Sequence, residues 1–76
     1  MEIFPGISID PDIRFGKPCI TGTRIDVATV VGALGGGGSF EEVEREYALT
    51  HVQILAALSY AAHVAAHLPP AVRRAS

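Results

Sequence analysis

Ser39-Phe40-Glu41-Glu42-Val43-Glu44-Arg45-Glu46-Tyr47-Ala48-Leu49-Thr50-His51-Val52-Gln53-Ile54 contains two helix starts. Ser39 precedes Glu42 by three residues and Thr50 precedes Gln53 by three, so each segment opens with a capping box. In such a box the hydroxyl accepts one orphan amide and the Glu or Gln side chain satisfies another. Between the boxes, Tyr47-Ala48-Leu49 leaves room only for a tight turn, the spacing of a helix-turn-helix rather than of a long antiparallel hairpin. The first of the two helices, Phe40 to Tyr47, places Phe40, Val43 and Tyr47 inward. Glu41, Glu42, Glu44, Arg45 and Glu46 face water, and the acidic residues of the first turn suit the helix dipole. The second helix begins after Thr50 and presents Ile54, Leu55, Leu58, Ala61, Ala62, Ala65 and Leu68, with Pro69-Pro70 as its stop. That apolar band is wider than one small core needs.

Upstream, Asp26 is placed to cap a further helix whose apolar residues fall at Val27, Val30, Val31 and Leu34, one buried stripe. Gly32 weakens it by about 1 kcal/mol relative to alanine. The run Gly35-Gly36-Gly37-Gly38 ends it and reads as a loose hinge. In residues 1–26, Ile7 and Ile9 alternate with Ser8 and Asp10, and Asp10-Pro11-Asp12 forces a turn. Pro18 cannot donate to a ladder and belongs at an edge or strand start, and Thr21-Gly22 suits a hairpin tip. One domain follows: a β arm over 1–26, a three-helix unit over 27–68, and a tail over 69–76. The tail, with Arg73 and Arg74, has the makeup of a frayed terminus or of a peptide that orders on a partner. The fold class is expected to be mainly α.

A chain of 76 residues buries only about 60–65% of the surface its unfolded form exposes, so its core is marginal. The composition is 49% hydrophobic, with no disulfide framework to staple it. A homodimer or higher homo-oligomer is therefore expected, the arm from Ile7 to Ile25 being the favoured interface. A lone Cys19, and an N-terminal stretch without the basic and apolar regions of a secretory signal, predict a cytoplasmic protein. The apolar run from Ile54 to Leu68, interrupted by Ser59, His63 and His67, falls short of the roughly 20 residues that cross a bilayer. No membrane association is expected.

Nucleotide, metal and nucleophile chemistry find little support. Gly16-Lys17 lacks the earlier glycine and following Ser or Thr of a phosphate loop, those places holding Pro11 and Pro18, and no lysine follows the glycine run. His63 and His67 share a helix face, but the glutamate of a metalloprotease helix is missing; a packing or subunit surface is the alternative. Cys19 has no oriented base and reads as a small buried residue. No enzyme activity, cofactor or metal is expected.

The helix pair carries a sharper reading. In a helix-turn-helix the N-terminal residues of the second helix meet base edges, which makes Thr50, His51, Gln53, Ile54 and Ala57 the candidate DNA-reading surface, with Gln53 pairing with adenine. Arg24, after the hairpin tip, is the candidate clamp for a phosphate or a carboxylate, the alternative being an internal pair with Asp26, Asp10 or a backbone carbonyl. Against DNA stand a formal charge of −2, a pI near 5.8 and the acidic helix before the turn.

The stretch Ile9-Asp10-Pro11 through Gly16-Lys17-Pro18-Cys19-Ile20-Thr21-Gly22-Thr23-Arg24-Ile25-Asp26-Val27 closely resembles the DUF433 family. The resemblance continues through Ser39 to Val43, Tyr47 to Thr50 and Ala56 to Ala62. It implies a homeodomain-like three-helix fold with an N-terminal β arm. It also implies an antitoxin role in bacterial toxin–antitoxin pairs, opposite a PIN-like ribonuclease toxin and on operator DNA, with no catalytic residues. The chain departs from the family pattern at Ala48, where Pro is usual, and in carrying four glycines where a single small residue is usual. Two functions are thus expected to compete: a DNA-binding antitoxin, and an oligomerisation or adaptor domain that binds no DNA.

Overall fold

The arm forms a real sheet. A computed structural model describes residues 1–68, and the expected tail over 69–76, with its two arginines, lies outside them. Strands β1 (Glu2–Phe4), β2 (Ile7–Ser8) and β3 (Cys19–Ile20) pair antiparallel in that order. Pro5-Gly6 turns β1 into β2 at a left-handed glycine (φ 83°) pressed on the third helix, where an added Cβ would lie 3.0 Å from that of Ala56. The Asp10 turn is present, with Asp12 N–H donating to Asp10 Oδ1 (2.9 Å) and Ile13 N–H to the Asp10 carbonyl (2.9 Å). So is the hairpin at Thr21-Gly22: Ile20 N–H donates to the Ile25 carbonyl (3.0 Å) and Val27 N–H to that of Pro18 (2.9 Å).

Three helices follow, α1 (Val27–Gly35), α2 (Phe40–Tyr47) and α3 (His51–His67). Asp26 Oδ1 caps α1 by accepting from Thr29 N–H at 2.8 Å, and both capping boxes are closed. The glycine run is not the loose hinge expected. Gly36 N–H donates to the Gly32 carbonyl (2.9 Å), Gly37 N–H to Leu34 (3.0 Å) and Gly38 N–H to Ala33 (3.0 Å), which satisfies the last carbonyls of α1.

Between α2 and α3 the axis bends by 108°. Ala48 makes the corner in the left-handed conformation (φ 54°), and Leu49 N–H returns to the Glu44 carbonyl at 3.0 Å. Proline, its φ locked near about −65°, does not fit there, so the departure at Ala48 belongs with this form of turn. An alanine Cβ is strained in that region, and Ala48→Gly is expected to add about 0.5–1 kcal/mol of stability. Urea midpoints check it: a lowered midpoint would mean the corner carries no strain.

The core is shared. Ile7 and Ile20 from the sheet meet Val27 and Val30 of α1, Val43 of α2, Leu49, and Ile54 and Ala57 of α3. Ile7, Ile20, Ile54 and Val30 are the largest fully buried side chains. The expected three helices and N-terminal β arm are both present, and together they make a small mixed domain in which the sheet supplies half of that inner set. Among the described residues no single helix is long and apolar enough to cross a membrane.

Candidate functional site

At the start of α3 the expected reading residues separate into two groups. Ile54 and Ala57 are fully buried, which removes them from any surface; they lie one and two turns along the same stripe that packs on the sheet. Thr50, His51 and Gln53 remain accessible to differing degrees. Gln53 Oε1 already accepts from Thr50 N–H (2.8 Å) while Thr50 Oγ1 accepts from Gln53 N–H (3.1 Å). Bidentate recognition of adenine needs both ends of the carboxamide, and the cap holds one of them. His51 lies against Phe40, ring centroids 4.9 Å apart, with Nδ1 3.4 Å from Glu44 Oε2.

What α3 offers outward is apolar. Val52 is 72% exposed and Leu55 44%; with Ala56, Phe4 and Pro5 they line an open groove of about 560 Å³ between the helix and the β1–β2 turn. From His51 to His67 the helix holds no Lys, Arg, Asp or Glu. Farther along, Phe4 meets the Tyr60 ring edge-on at 5.5 Å and the His63 ring at 5.2 Å, and His63 stacks on His67 at 4.2 Å. Both histidines are exposed, and among the described residues no three metal-ligating side chains converge.

Arg24 is exposed beyond the hairpin tip and makes no hydrogen bond within the described residues. The internal pair considered for it belongs to Arg14, whose Nε and Nη2 reach Asp26 Oδ2 at 3.2 and 3.1 Å. Asp26 is 4% exposed. Hydrogen bonding from Thr29 holds its carboxyl below the usual range, with Arg14 adding to this and burial opposing it. Next to it, burial raises the Cys19 thiol, Asp26 raises it further, and Sγ donates to the Lys17 carbonyl at 3.4 Å. A protonated, buried thiol is a poor nucleophile.

One prominent group had no sequence signal. Arg14, Phe15 and Gly16 all have positive φ (52°, 58° and 80°) and hold the Phe15 ring 93% exposed.

The model of the DUF433 family, described as a protein of unknown function, matches residues 7–61. The chain belongs to the DUF433 family. The DUF433 match begins at β2 and runs into α3, taking in the hairpin, the Asp26 cap and both capping boxes. In the solved structures, the chain is similar to Rv2018 from Mycobacterium tuberculosis, at 35% identity and a TM-score of 0.63. The similarity covers 68% of this chain and 24% of that one, so the shared part is about a quarter of the Mycobacterium protein. No curated protein matches.

Proposed function

We propose that this domain is an antitoxin-like protein-binding module that holds a PIN-like ribonuclease on the outer face of α3. The observation that carries the reading is the Val52–Leu55 groove: apolar, open and free of charge along the whole helix. Interface cores are depleted in charge, whereas phosphate contacts demand it. Operator binding through a helix-turn-helix is the second reading. It draws support from the 108° bend between α2 and α3, which falls in the range of that motif, and from the exposed Thr50 and His51. With a formal charge of −2, the isolated chain offsets few phosphates, so DNA affinity is expected to rise when the ribonuclease adds basic surface and a linked second site.

The test is a titration of a PIN-like ribonuclease with this chain, with RNA cleavage as readout. The wild-type chain is expected to inhibit, and Val52→Glu and Leu55→Glu, both at exposed positions, to lose inhibition while keeping their circular dichroism. Inhibition that survives both changes would move the contact off α3; none by the wild type would end the antitoxin reading. Gel shifts on the upstream DNA, with and without ribonuclease, compare His51→Ala and Arg24→Ala with the parent. No shift in either condition retires DNA binding and leaves the adaptor role.

A further inference from the structure

We propose that Phe15 anchors a twofold-symmetric dimer by entering the apolar groove between α1 and α3 of a second copy of this chain. Two consecutive non-glycine residues in the left-handed region cost about 1–2 kcal/mol each, and the fold nevertheless holds Arg14 and Phe15 there. Arg14 is fixed by its hydrogen bonds to Asp26, Lys17 N–H donates to the Arg14 carbonyl (3.1 Å), and Gly16 N–H to that of Ile13 (3.1 Å). Within one chain, the Arg14 half of this turn reaches Asp26, but the Phe15 half only lifts a 93% exposed ring into water. Strain of this kind persists where it serves a contact.

A receptor for the ring lies beside it. Pro18, Val27, Val31, Ala61, Val64 and Ala65 line a groove of about 400 Å³. Benzene fills a cavity of about 150 Å³, so a phenyl ring enters with room for its stem. Lys17, also in the lining, supplies a cation attracted to the face of an inserted ring. The turn that carries the knob borders the groove, because Lys17 and Pro18 follow Phe15 directly and Asp26, the partner of Arg14, stands in the groove wall. A projection beside its receptor forms a self-complementary patch, the condition for an isologous dimer that closes on itself.

The areas agree with this occupant. Each buried phenylalanine removes about 150–250 Å², so two knobs and the two groove walls they cover account for roughly 600–1,000 Å² of the about 1,200 Å² a specific interface needs. The exposed end of α3, with Val64 and Leu68, lies at the same groove and meets its counterpart across the axis to supply the rest. A foreign apolar peptide would fill the groove but leave Phe15 in water; a second copy covers both. The Val52–Leu55 groove is lined by different residues and stays open, so this dimer does not depend on the antitoxin reading.

Sedimentation velocity over a micromolar concentration series tests it, with Phe15→Asn and Ala65→Glu beside the wild type. Asparagine tolerates the left-handed region, so the first variant removes the ring and keeps the turn; Ala65 is exposed, so the second blocks the groove without entering the core. The wild type is expected to sediment as a dimer. At about thirty-fold in Kd for each anchor lost, Phe15→Asn should weaken it roughly a thousandfold, with circular dichroism retained. An equimolar mixture of the two variants restores one knob and one groove, and should dimerise more tightly than either alone. A wild type that remains monomeric, a Phe15→Asn dimer of unchanged affinity, or a mixture no tighter than its components would each overturn the proposal.

Discussion

Ile54→Ala is expected to remove about 2–5 kcal/mol from a domain whose whole stability is on the order of 4–11 kcal/mol. Ile54 has no exposed surface and sits where α3 crosses the sheet, with Ile7, Ile20 and Val30 as the other fully enclosed large side chains. Deleting three carbons there leaves a void between α3 and the sheet. The sheet, with its Pro5-Gly6 turn already in contact with Ala56, cannot follow α3 inward. Urea denaturation decides it, through a lowered midpoint at an unchanged slope. Leu58→Ala is the internal comparison, since Leu58 packs only partly buried at the edge of the same cluster. A larger loss at Leu58 than at Ile54 would mean the centre of the core lies elsewhere.

Asp26→Ala is expected to cost about 3 kcal/mol, through a lost helix cap and the charge-assisted bonds to Arg14. Arg14 is 48% exposed, so water screens the pair and most of the effect falls on the buried carboxylate and the Thr29 amide it serves. The pH dependence has a definite sign. Because hydrogen bonding from Thr29, helped by Arg14, depresses the carboxyl in the folded chain, its stabilisation is complete above the unfolded value of about 4 and disappears as pH falls through the lower folded value. Glu42, depressed by its bonds with Ser39, acts in the same direction at the surface. Asp26→Asn keeps a capping oxygen but has no proton to take up, so its stability should fall less steeply on acidification. An identical acid limb in the wild type and in Asp26→Asn would contradict this assignment.

Local chemistry made much of the fold legible. Both capping boxes, the Asp26 cap, the Asp10 turn and the hairpin tip depend on residues within a few positions of each other, and each lies where its residue types place it. The inward side of α3 was harder. Apolar residues surround that helix, so periodicity alone did not separate Ile54 and Ala57, which are buried, from Val52 and Leu55, which are not. The candidate DNA surface consequently fell partly on the core stripe. Arg14 rather than Arg24 meets Asp26 because the hairpin and the turn before it set that meeting over twelve residues, and no spacing rule reaches so far. Phe15 was invisible for another reason: left-handed backbone at two non-glycine residues follows from tertiary constraint, not from local preference. The burial of Ile7 and Ile20 likewise changes what the arm is. It is part of the folding unit, so removing it would take half of the enclosed large side chains with it.

The run from Gly35 to Gly38 bears on how this chain can vary. Four identical letters hide four different obligations. A methyl group at Gly35 would meet nothing, at Gly36 it would press the Gly32 oxygen at 3.3 Å, and at Gly38 it would collide with the Ala33 oxygen at 2.9 Å, while Gly37 has φ 103°. Substitution is therefore open at the first position, tight at the second and closed at the last two. Changes of length are more restricted still: each amide from Gly36 to Gly38 is matched to a particular carbonyl of α1, and one residue inserted or deleted just before Gly36 would shift all of these pairings at once. A segment that resembles a tolerant spacer is a poor place for a linker, a tag or an indel.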